Sequence, residues 1–446
     1  MSRLFSLLLY NLLLPLGLAV MLPGAIRKLR ARGGKWQDMG ERFGFWSEAK
    51  RAALARLGSG RDRLWIHAVS VGEVGIATKL ITQLLKARPS LGVVITTTTP
   101  TAHAMALEWA AKVRGSTTPV VLFSPIDLPF VGESFLELIR PSQLILVEAE
   151  LWPNLVSKAR RDGIRVSMVN ARLSARSEAR FHLLLGVIRP IFSMLDQVLT
   201  QEPEDSARFQ KLGVRPEGIH HTGSIKFDPE GAEADPLQVT AFRTILRQLG
   251  ITETQPVLLL ASTHPGEEVL LAQVALNLRQ SHPDLALLIV PRHVERGPEI
   301  LKELQALGIT ALLRSEVAEH LAMPSTGLQT LLINTTGELR AWQSLASMVV
   351  IGKSFLAKGG QNPAEAVMAS KPVLFGPQMQ NFEALVALLH QENGAIQVPD
   401  TAALEVALKQ LLEDPARRQS LGEAGHRALA AHQGAAQATV SLILHD

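Results

Sequence analysis

Cysteine is absent from the 446 residues, and tyrosine occurs once. The lack of cysteine excludes disulfide bonds, thiolate zinc sites and a cysteine nucleophile. Aromatic residues make up only 5% of the chain, which disfavours a nucleic-acid surface that stacks bases on aromatic rings. His-Glu-x-x-His, Asp-x-Asp and Gly-x-Ser-x-Gly motifs are also missing. The sequence therefore predicts no metal site, no serine-hydrolase site and no nucleic-acid partner.

The composition is that of a folded protein with 47% hydrophobic and 19% charged residues. A chain of this length exceeds a single ordinary core, so we expect two domains. The net charge of +4 favours an anionic partner such as phospholipid or nucleotide.

The amino-terminal segment is strongly apolar, because residues 4–23 contain no charged side chain. This length is about what is needed to cross a bilayer core. Five basic residues follow it, and only Arg3 precedes it; the five are Arg27, Lys28, Arg30, Arg32 and Lys35. The pattern predicts an uncleaved membrane anchor with a basic collar over residues 1–35, either spanning the membrane or lying in its interface, with the protein on the cytoplasmic side. The alternative is a hydrophobic helix packed on its own domain.

Beyond the anchor, short β-branched apolar runs alternate with longer amphipathic segments, which is typical of a parallel sheet covered by helices. The predicted strands form two series. The first comprises RLWIHAV, GVVITTT, PVVLF, QLILVEA, RVSMVN and QVLT, and the second PVLLLAS, LALLIV, TLLIN, SMVVIG and KPVLFG. A Gly-, Pro- and acid-rich hinge, residues 226–238, separates them. We expect an α/β fold of two doubly wound, Rossmann-like domains, 36–228 and 229–446, facing across a cleft, with ligands beyond the carboxyl ends of the strands.

Glu73 follows the first strand of the first domain, and two interpretations of it remain open. Ser70 and Glu73 have the spacing of a capping box, which explains the glutamate without any chemistry. Gly72 would, however, let a ligand approach closely, and a base at the mouth of the first strand would be well placed.

Two further groups of the first domain carry the same ambiguity. Glu148 and Glu150 share one face at a strand end, where they repel each other unless they are paired, solvated or used. Lys226 lies where we expect the cleft to open, so it could neutralise charge on a departing phosphate.

In the second domain, loops after predicted strands offer a phosphate site. Arg292 in Pro291-Arg292-His293 could contact a phosphate or pair with Glu295. Thr336, Gly337 and Glu338 stand at a helix entry. In GGQNPAE, Asn362, Pro363 and Glu365 fit the cap, first and third positions of a helix, and Gly359 and Gly360 are expected to leave free amide donors beside it. For His264, Glu267 and Glu268, a helix cap is favoured over a metal site.

Nine motifs in order make the chain resemble the 3-deoxy-D-manno-octulosonic acid (Kdo) transferases of Gram-negative bacteria. They are HAVSVGEV, SPIDLP, EAELWPN, NARLSARS, GSIKFD, ASTHPGEE, PRHVER, TTGEL and GKSFLAKGGQNPAEA. The resemblance implies a metal-independent GT-B glycosyltransferase of lipopolysaccharide biosynthesis. Such an enzyme moves Kdo from CMP-Kdo to a lipid A precursor at the cytoplasmic face of the bacterial inner membrane.

The resemblance also implies roles for individual residues. Glu73 corresponds to the catalytic base, and Glu148 and Lys226 to transition-state stabilisers. The residues that correspond to the CMP site are Pro291, Arg292, Thr336, Gly337, Glu338, Asn362, Pro363, Ala364 and Glu365. The chain departs from the family pattern at Ser224, Asn334, Lys353 and Gln361, where the pattern has asparagine, aspartate, glycine and histidine.

Other functions remain compatible with the sequence. A membrane-associated GT-B transferase using a UDP-sugar and a lipid acceptor is the first alternative. A non-catalytic nucleotide-binding membrane protein and a nucleotide-sugar epimerase are the others.

Overall fold

The computed structural model describes residues 2–31, 36–57, 62–113, 118–149, 151–173, 175–229, 234–317 and 330–445, without the side chains of residues 18, 20–31, 36–38, 175–176 and 182. The basic collar and Glu150 therefore lie outside the described side chains, as do hinge residues 230–233. The chain forms two compact units. Unit 1 comprises Met1–Asp228 and Gly434–Asp446, and unit 2 comprises Pro229–Gln433.

Unit 1 contains a parallel sheet of seven strands in the order β3-β2-β1-β4-β5-β6-β7. The strands are β1 Arg63–His67, β2 Gly92–Thr97, β3 Val120–Phe123, β4 Gln143–Val147, β5 Arg165–Ala171, β6 Gln197–Thr200 and β7 Ile219–His221. Helices cover both faces of this sheet, which is why its strands are nearly continuous apolar runs. The helices are Arg3–Ala31, Trp36–Arg42, Glu48–Arg56, Val71–Ala87, Pro100–Lys112, Pro129–Ile139, Pro153–Arg161, Ala175–His182, Leu185–Phe192, Pro203–Lys211 and Ala435–Leu444.

Unit 2 contains a second parallel sheet of seven strands, ordered β10-β11-β9-β8-β12-β13-β14. The strands are β8 Val257–Thr263, β9 Ala286–Pro291, β10 Leu312–Leu313, β11 Thr330–Leu332, β12 Met348–Ile351, β13 Val373–Phe375 and β14 Ile396–Gln397. Its helices are Pro236–Gln248, Glu267–Arg279, Gly297–Ala306, Leu339–Leu345, Ala364–Met368, Glu383–Gln391, Thr401–Glu413 and Pro415–Ala430.

Two parallel, doubly wound α/β sheets confirm the predicted fold class, and each of the predicted strands is present. Sequence analysis missed β7, β10 and β14, which have three, two and two residues. All three lie at or beside a sheet margin. Such short strands carry too few residues for a recognisable period.

The amino-terminal segment forms the helix Arg3–Ala31. Among the described residues, no helix combines the length and apolarity that a membrane crossing needs. The helix Arg3–Ala31 packs on helices Leu185–Phe192 and Pro153–Arg161 of its own unit. Asn11 Nδ2 donates to Asn154 Oδ1 over 2.9 Å, and Tyr10 hydrogen-bonds to the buried Asp127. These polar contacts fix one face of the helix against unit 1.

The last helix, Ala435–Leu444, belongs to unit 1, whereas sequence analysis had placed residues 229–446 in one domain. Its apolar residues Ala436, Val440 and Ile443 share a core with the helix Val71–Ala87. The Asp228 carboxylate accepts hydrogen bonds from Gly434 N at 3.1 Å and Ala436 N at 2.8 Å. The start of this helix is therefore tied to the last residue of the first segment.

Candidate active site

The strand order of unit 1 reverses between β1 and β4, which pair in parallel. Ligands of doubly wound sheets bind at such a switch point, beyond the carboxyl ends of the strands. Glu73 lies on the helix that follows β1, and Glu148 follows β4 directly. The topology thus places two of the three predicted catalytic residues beside the switch point.

Glu73 closes the capping box that its spacing predicted. Ser70 caps the helix Val71–Ala87, and its Oγ accepts from Glu73 N at 3.3 Å. The Glu73 carboxylate accepts from Val69 N at 2.7 Å through Oε2 and from Ser70 Oγ at 2.9 Å through Oε1. The residue is only 6% exposed. The capping hydrogen bonds therefore hold the carboxylate in one orientation at the helix start.

Lys226 stands in a segment that the helix Val71–Ala87 and strand β5 hold. Lys79, on the same helix as Glu73, donates to Ile225 O at 2.9 Å and to Asp228 O. Asn170 Oδ1 accepts from Ile225 N at 2.8 Å. The Lys226 backbone is therefore fixed relative to Glu73, while the Lys226 side chain itself is exposed.

Glu148 has a left-handed backbone with φ of 62°, which is uncommon for a residue with a side chain. Burial raises the pKa of its carboxyl group, and the charges of Lys226 and Arg172 act in the opposite direction. The structure thus brings Glu148 and Lys226 within electrostatic reach of each other. The arrangement is a half-buried carboxylate facing two cations at the carboxyl edge of the sheet.

The strand order of unit 2 reverses between β8 and β12. Glu267, in the first turn after β8, is fully buried. Its carboxylate accepts from His264 N at 3.0 Å, from Phe355 N at 3.1 Å and from Lys353 N. Glu267 therefore ties the loop after β8 to the loop after β12. Among the described residues no group of His, Asp and Glu could hold a metal ion.

A cluster of cationic and imidazole groups, Arg292, Lys353, His264 and His293, lies at this switch point. Burial lowers the pKa of His264, and the charges of Lys353, His293 and Arg292 lower it further, against the opposite effect of Glu267. Arg292 is exposed and forms no ion pair with any described residue; its predicted partner Glu295 lies 3.5 Å from His293 Nδ1 instead. This cluster is suited to an anionic ligand.

Three positions where the chain departs from the pattern of the family that it resembles lie in unit 2, and two of them, Lys353 and Gln361, lie at the cluster. Lys353 has a φ of 54°, in the left-handed region that glycine adopts more readily than residues with a side chain. Gln361 Nε2 lies 3.0 Å from His264 Nε2. Asn334 Oδ1 accepts from Ser315 N at 3.0 Å.

The loop GGQNPAE differs from its prediction. Gly359 N donates to Gln380 Oε1 at 2.8 Å and Gly360 N to Lys353 O at 3.1 Å, so neither amide is free. Both glycines have positive φ, 115° and 71°. A Cβ would come within 2.7 Å of Asn381 Nδ2 at Gly359 and within 2.5 Å of Met379 Sδ at Gly360. The glycines are needed for close backbone packing rather than for exposing amides.

The capping box predicted for this loop is also incomplete. The helix begins at Ala364 rather than Pro363, and Asn362 Oδ1 accepts from Ala364 N at 3.1 Å. Glu365 does not return to the cap, because its Oε1 accepts from Arg340 Nε at 2.9 Å. Glu365 Oε2 has no hydrogen-bond partner among the described residues and remains available to a ligand.

Glu338 likewise has partners at only one of its carboxylate oxygens among the described residues. Its Oε2 accepts from Trp342 Nε1 at 3.0 Å and lies 3.2 Å from Arg314 Nε, while Oε1 has no partner among the described residues. Gly337, with φ of 79°, and Thr336 beside it are exposed. The structure therefore leaves one carboxylate oxygen on each of Glu338 and Glu365 for ligand hydroxyls.

Sequence reasoning missed three contributors to these sites: Lys79, Asn170, and His264 as part of a cation cluster. Asn170 has a φ of 51° at an irregularity in β5, and its Nδ2 is buried without a partner among the described residues. The motif NARLSARS contains Asn170, but no local pattern indicates that its partner, Ile225, lies 55 residues later.

Comparison with solved structures gives distant similarities. The C-terminal CMP-Kdo binding domain of WaaA from Acinetobacter baumannii is 25% identical, covering 44% of this chain and 99% of that domain with a TM-score of 0.39. UDP-GlcNAc 2-epimerase from Neisseria meningitidis bound to UDP-GlcNAc is 14% identical, covering 86% of this chain and 100% of that chain with a TM-score of 0.43. These scores are too low to assign a ligand.

Comparison of sequences is more specific. Residues 37–229 match the family model described as 3-deoxy-D-manno-octulosonic-acid transferase. The 3-deoxy-D-manno-octulosonic acid transferase of Bordetella pertussis is 35% identical over 94% of each chain. The enzyme of the same name from Haemophilus influenzae is 31% identical over 91% of each chain. Because both alignments cover more than nine tenths of each chain, this chain belongs to the Kdo transferase family of glycosyltransferases.

Proposed function

We propose that this protein transfers Kdo from CMP-Kdo to a lipid A precursor in lipopolysaccharide biosynthesis. The observation that carries the proposal is the contrast between the two sheet edges. Carboxylates with one lysine stand at the switch point of unit 1, and cations stand at that of unit 2. In a GT-B arrangement, unit 1 supplies the acceptor side and unit 2 the donor side.

On the acceptor side, Glu73 is the general base. It takes the proton from a glucosamine hydroxyl while that oxygen bonds to the anomeric carbon of Kdo. The bond from this carbon to the CMP phosphate breaks on the opposite face, so the configuration inverts and CMP leaves with the bonding electrons. A general base of this kind contributes about 10² to 10⁴ in rate.

Glu148 and Lys226 stabilise the two charges that develop during transfer. Glycosyl transfer passes through an oxocarbenium-like state, and a carboxylate at Glu148 opposes its positive charge. Lys226 opposes the negative charge that grows on the departing phosphate. Lys226 and Arg172 also favour the ionised form of Glu148, against the effect of its burial.

On the donor side, Arg292 and Lys353 bind the phosphate, with Pro291 and His264 supporting the loops that carry them. Glu338 Oε1 and Glu365 Oε2 are placed to accept from ribose hydroxyls. Thr336 and Gly337 directly precede Glu338, and Asn362, Pro363 and Ala364 directly precede Glu365; we assign these five residues to the same CMP site. Because the chain supplies these cations itself, transfer in this proposal requires no metal.

The acceptor is a membrane lipid, and the first helix offers a surface for meeting it. One face of this helix exposes six large apolar side chains, each at least half accessible: Leu4, Phe5, Leu8, Leu12, Leu13 and Leu16. The opposite face packs on unit 1. We expect the helix to lie in the interface of the inner membrane, on its cytoplasmic face, with its leucines in the lipid.

The transfer reaction is tested by incubating the purified protein with CMP-Kdo and a tetraacylated lipid A precursor in detergent with EDTA. Mass spectrometry should detect a product heavier by whole Kdo units. Calorimetry should show tighter binding of CMP than of UDP. Tighter UDP binding without Kdo transfer would favour a UDP-sugar enzyme, and nucleotide binding without any transfer would favour a non-catalytic protein.

The membrane contact is tested by flotation with anionic phospholipid vesicles. The Leu8→Glu and Leu12→Glu double variant should remain unbound, whereas Leu237→Glu, an equally exposed leucine of unit 2, should float like the unmodified protein. Equal flotation of all three would show that this helix is not the contact.

A further inference from the structure

A second basic site lies in unit 2, at the opposite edge of the sheet from the donor site. An open cavity of about 540 Å³ is lined there by residues preceding β8, β12 and β13 and by the start of the helix Pro415–Ala430. Ligand pockets commonly have volumes of about 300 to 1,000 Å³. The proposed donor residues all follow the carboxyl ends of strands, so none of them lines this cavity.

The cavity carries an excess of positive charge. Four of its lining side chains are cations, and Glu253 is its one lining carboxylate; the cations are Arg243, Arg247, Lys371 and Arg418. Arg247 forms a close ion pair with Glu253, and Arg243 Nε is 3.9 Å from the same carboxylate. Arg418 donates one hydrogen bond to Leu411 O at 3.1 Å. The Glu253 carboxylate is therefore the shared counter-ion of Arg243 and Arg247.

Lys371 is left without a counter-ion. Its ammonium group has neither a salt bridge nor a hydrogen bond to any described residue, although the side chain is half buried. Burial lowers the pKa of this group, and the charge of Arg243 lowers it further. A partly dehydrated cation facing another cation is unfavourable unless an anion compensates.

The walls of the cavity are rigid and offer hydroxyl groups. Ser347 Oγ accepts from Val257 N at 3.0 Å, which leaves its proton free to donate. Ser370 has a φ of 56°, and a Cβ at Gly422 would come within 2.1 Å of its carbonyl oxygen. The helix Pro415–Ala430 is thus packed tightly against the loop that presents Lys371.

We propose that this cavity is a second anion site, which binds a phosphorylated or pyrophosphorylated small molecule through Lys371, Arg243 and the Ser347 hydroxyl. Arginine and lysine together with hydroxyl donors recognise phosphate oxygens by charge-assisted hydrogen bonds. The site is independent of the proposed transfer reaction, since it shares no residue with the donor or acceptor groups.

Inorganic pyrophosphate is the probe, titrated calorimetrically into the full chain in 150 mM chloride with CMP present in saturating amount. One pyrophosphate should bind per chain. Lys371→Met and Arg243→Met should each weaken binding by roughly tenfold or more, because each removes a charge-assisted contact. Lys409→Met, which changes an exposed lysine outside the cavity, should leave it unchanged.

Three results would overturn the proposal: absence of pyrophosphate binding, displacement of pyrophosphate by CMP, or equal binding by Lys371→Met, Arg243→Met and the unmodified chain. Thermal unfolding without ligand separates misfolding from loss of the site. Lys371→Met should melt at or above the unmodified temperature, because the ammonium group it removes has no described partner. Failure of Kdo transfer would leave this titration unaffected.

Discussion

Glu73 and Glu267 occupy equivalent places in the two units, and their surroundings differ. Each lies in the first turn of the helix that follows the strand at the switch point. Glu267 is fully buried and accepts hydrogen bonds from backbone amides of two loops. Glu73 is 6% exposed, and its carboxylate accepts hydrogen bonds from Val69 N and Ser70 Oγ at its own helix start. The Glu267 carboxylate links two loops that are distant in the chain, whereas the donors Val69 N and Ser70 Oγ of Glu73 belong to its own helix start.

This difference bears on whether a glutamate at a capping position can also act as a catalytic base. A carboxylate whose donors come from distant loops is required for the fold, because its loss leaves buried amides without acceptors. A carboxylate that accepts from donors of its own helix start is pre-oriented there, and a hydroxyl group that approaches it can transfer a proton to it. Glu73 and Glu267 should therefore respond in opposite ways to substitution.

The largest effect is expected for Glu73→Gln. Glutamine also serves in capping boxes, so the helix start and the free energy of unfolding should change little. Its amide cannot act as the base, and Kdo transfer should fall by about 10² to 10⁴. Single-turnover transfer and urea unfolding measure the two quantities. A variant that keeps more than about a tenth of the rate, against this expectation, would assign the base elsewhere.

Glu267→Ala should have the next largest effect, and it should act on folding. At least three amides, those of His264, Lys353 and Phe355, lose their acceptor. At about 1 kcal/mol or more for each unsatisfied buried group, unit 2 should lose roughly 3 kcal/mol. Urea unfolding checks the stability, and CMP calorimetry checks whether the donor loops are disturbed. Glu267→Gln, which keeps one acceptor oxygen, should lose less; equal losses would mean that the loops are held by other contacts.

Ser70→Ala separates the cap from the base within one turn. Removing an N-cap hydroxyl costs about 1 kcal/mol of stability, whereas Val69 N still orients the Glu73 carboxylate. Thr99→Ala is a matched control, because Thr99 caps the next helix and accepts from Ala102 N at 3.2 Å. Both variants should lose similar stability and keep transfer. A rate loss confined to Ser70→Ala would show that the hydroxyl itself positions the base.

Glu73 and Glu267 also show how much of the structure could be predicted from the sequence. The strands before them are apolar runs buried on both faces, which local composition reveals. The capping box of Glu73 is closed within four residues, so its spacing sufficed. The partners of Glu267 at Lys353 and Phe355 are separated from it by 86 and 88 positions. Only the folded chain brings such partners together.

The errors of prediction have the same origin. The amides of Gly359 and Gly360 were expected to be free, yet Gln380 and Lys353 O accept from them. The last helix was assigned to the second domain because it follows that domain in sequence, although the acceptor of its first amides, Asp228, ends the first segment. Where a partner is distant in the chain, spacing gives no warning of it.

The smallest effect on folding is expected for Gly72→Ala, which tests how the acceptor approaches Glu73. A Cβ at Gly72 would meet Ser70 Oγ at 3.8 Å and no other described heavy atom within 4 Å. Stability should rise by a few tenths of a kcal/mol, up to ~1 kcal/mol, because alanine is the better helix former. If the acceptor hydroxyl passes over Gly72, the added methyl group lies in its path and transfer should fall by roughly threefold, ~0.7 kcal/mol in the barrier. Gly75→Ala on the same helix, where a Cβ meets nothing within 4 Å, should gain the same stability at the normal rate. Equal rates for the two variants would show that the acceptor reaches Glu73 from a direction that Gly72 does not border.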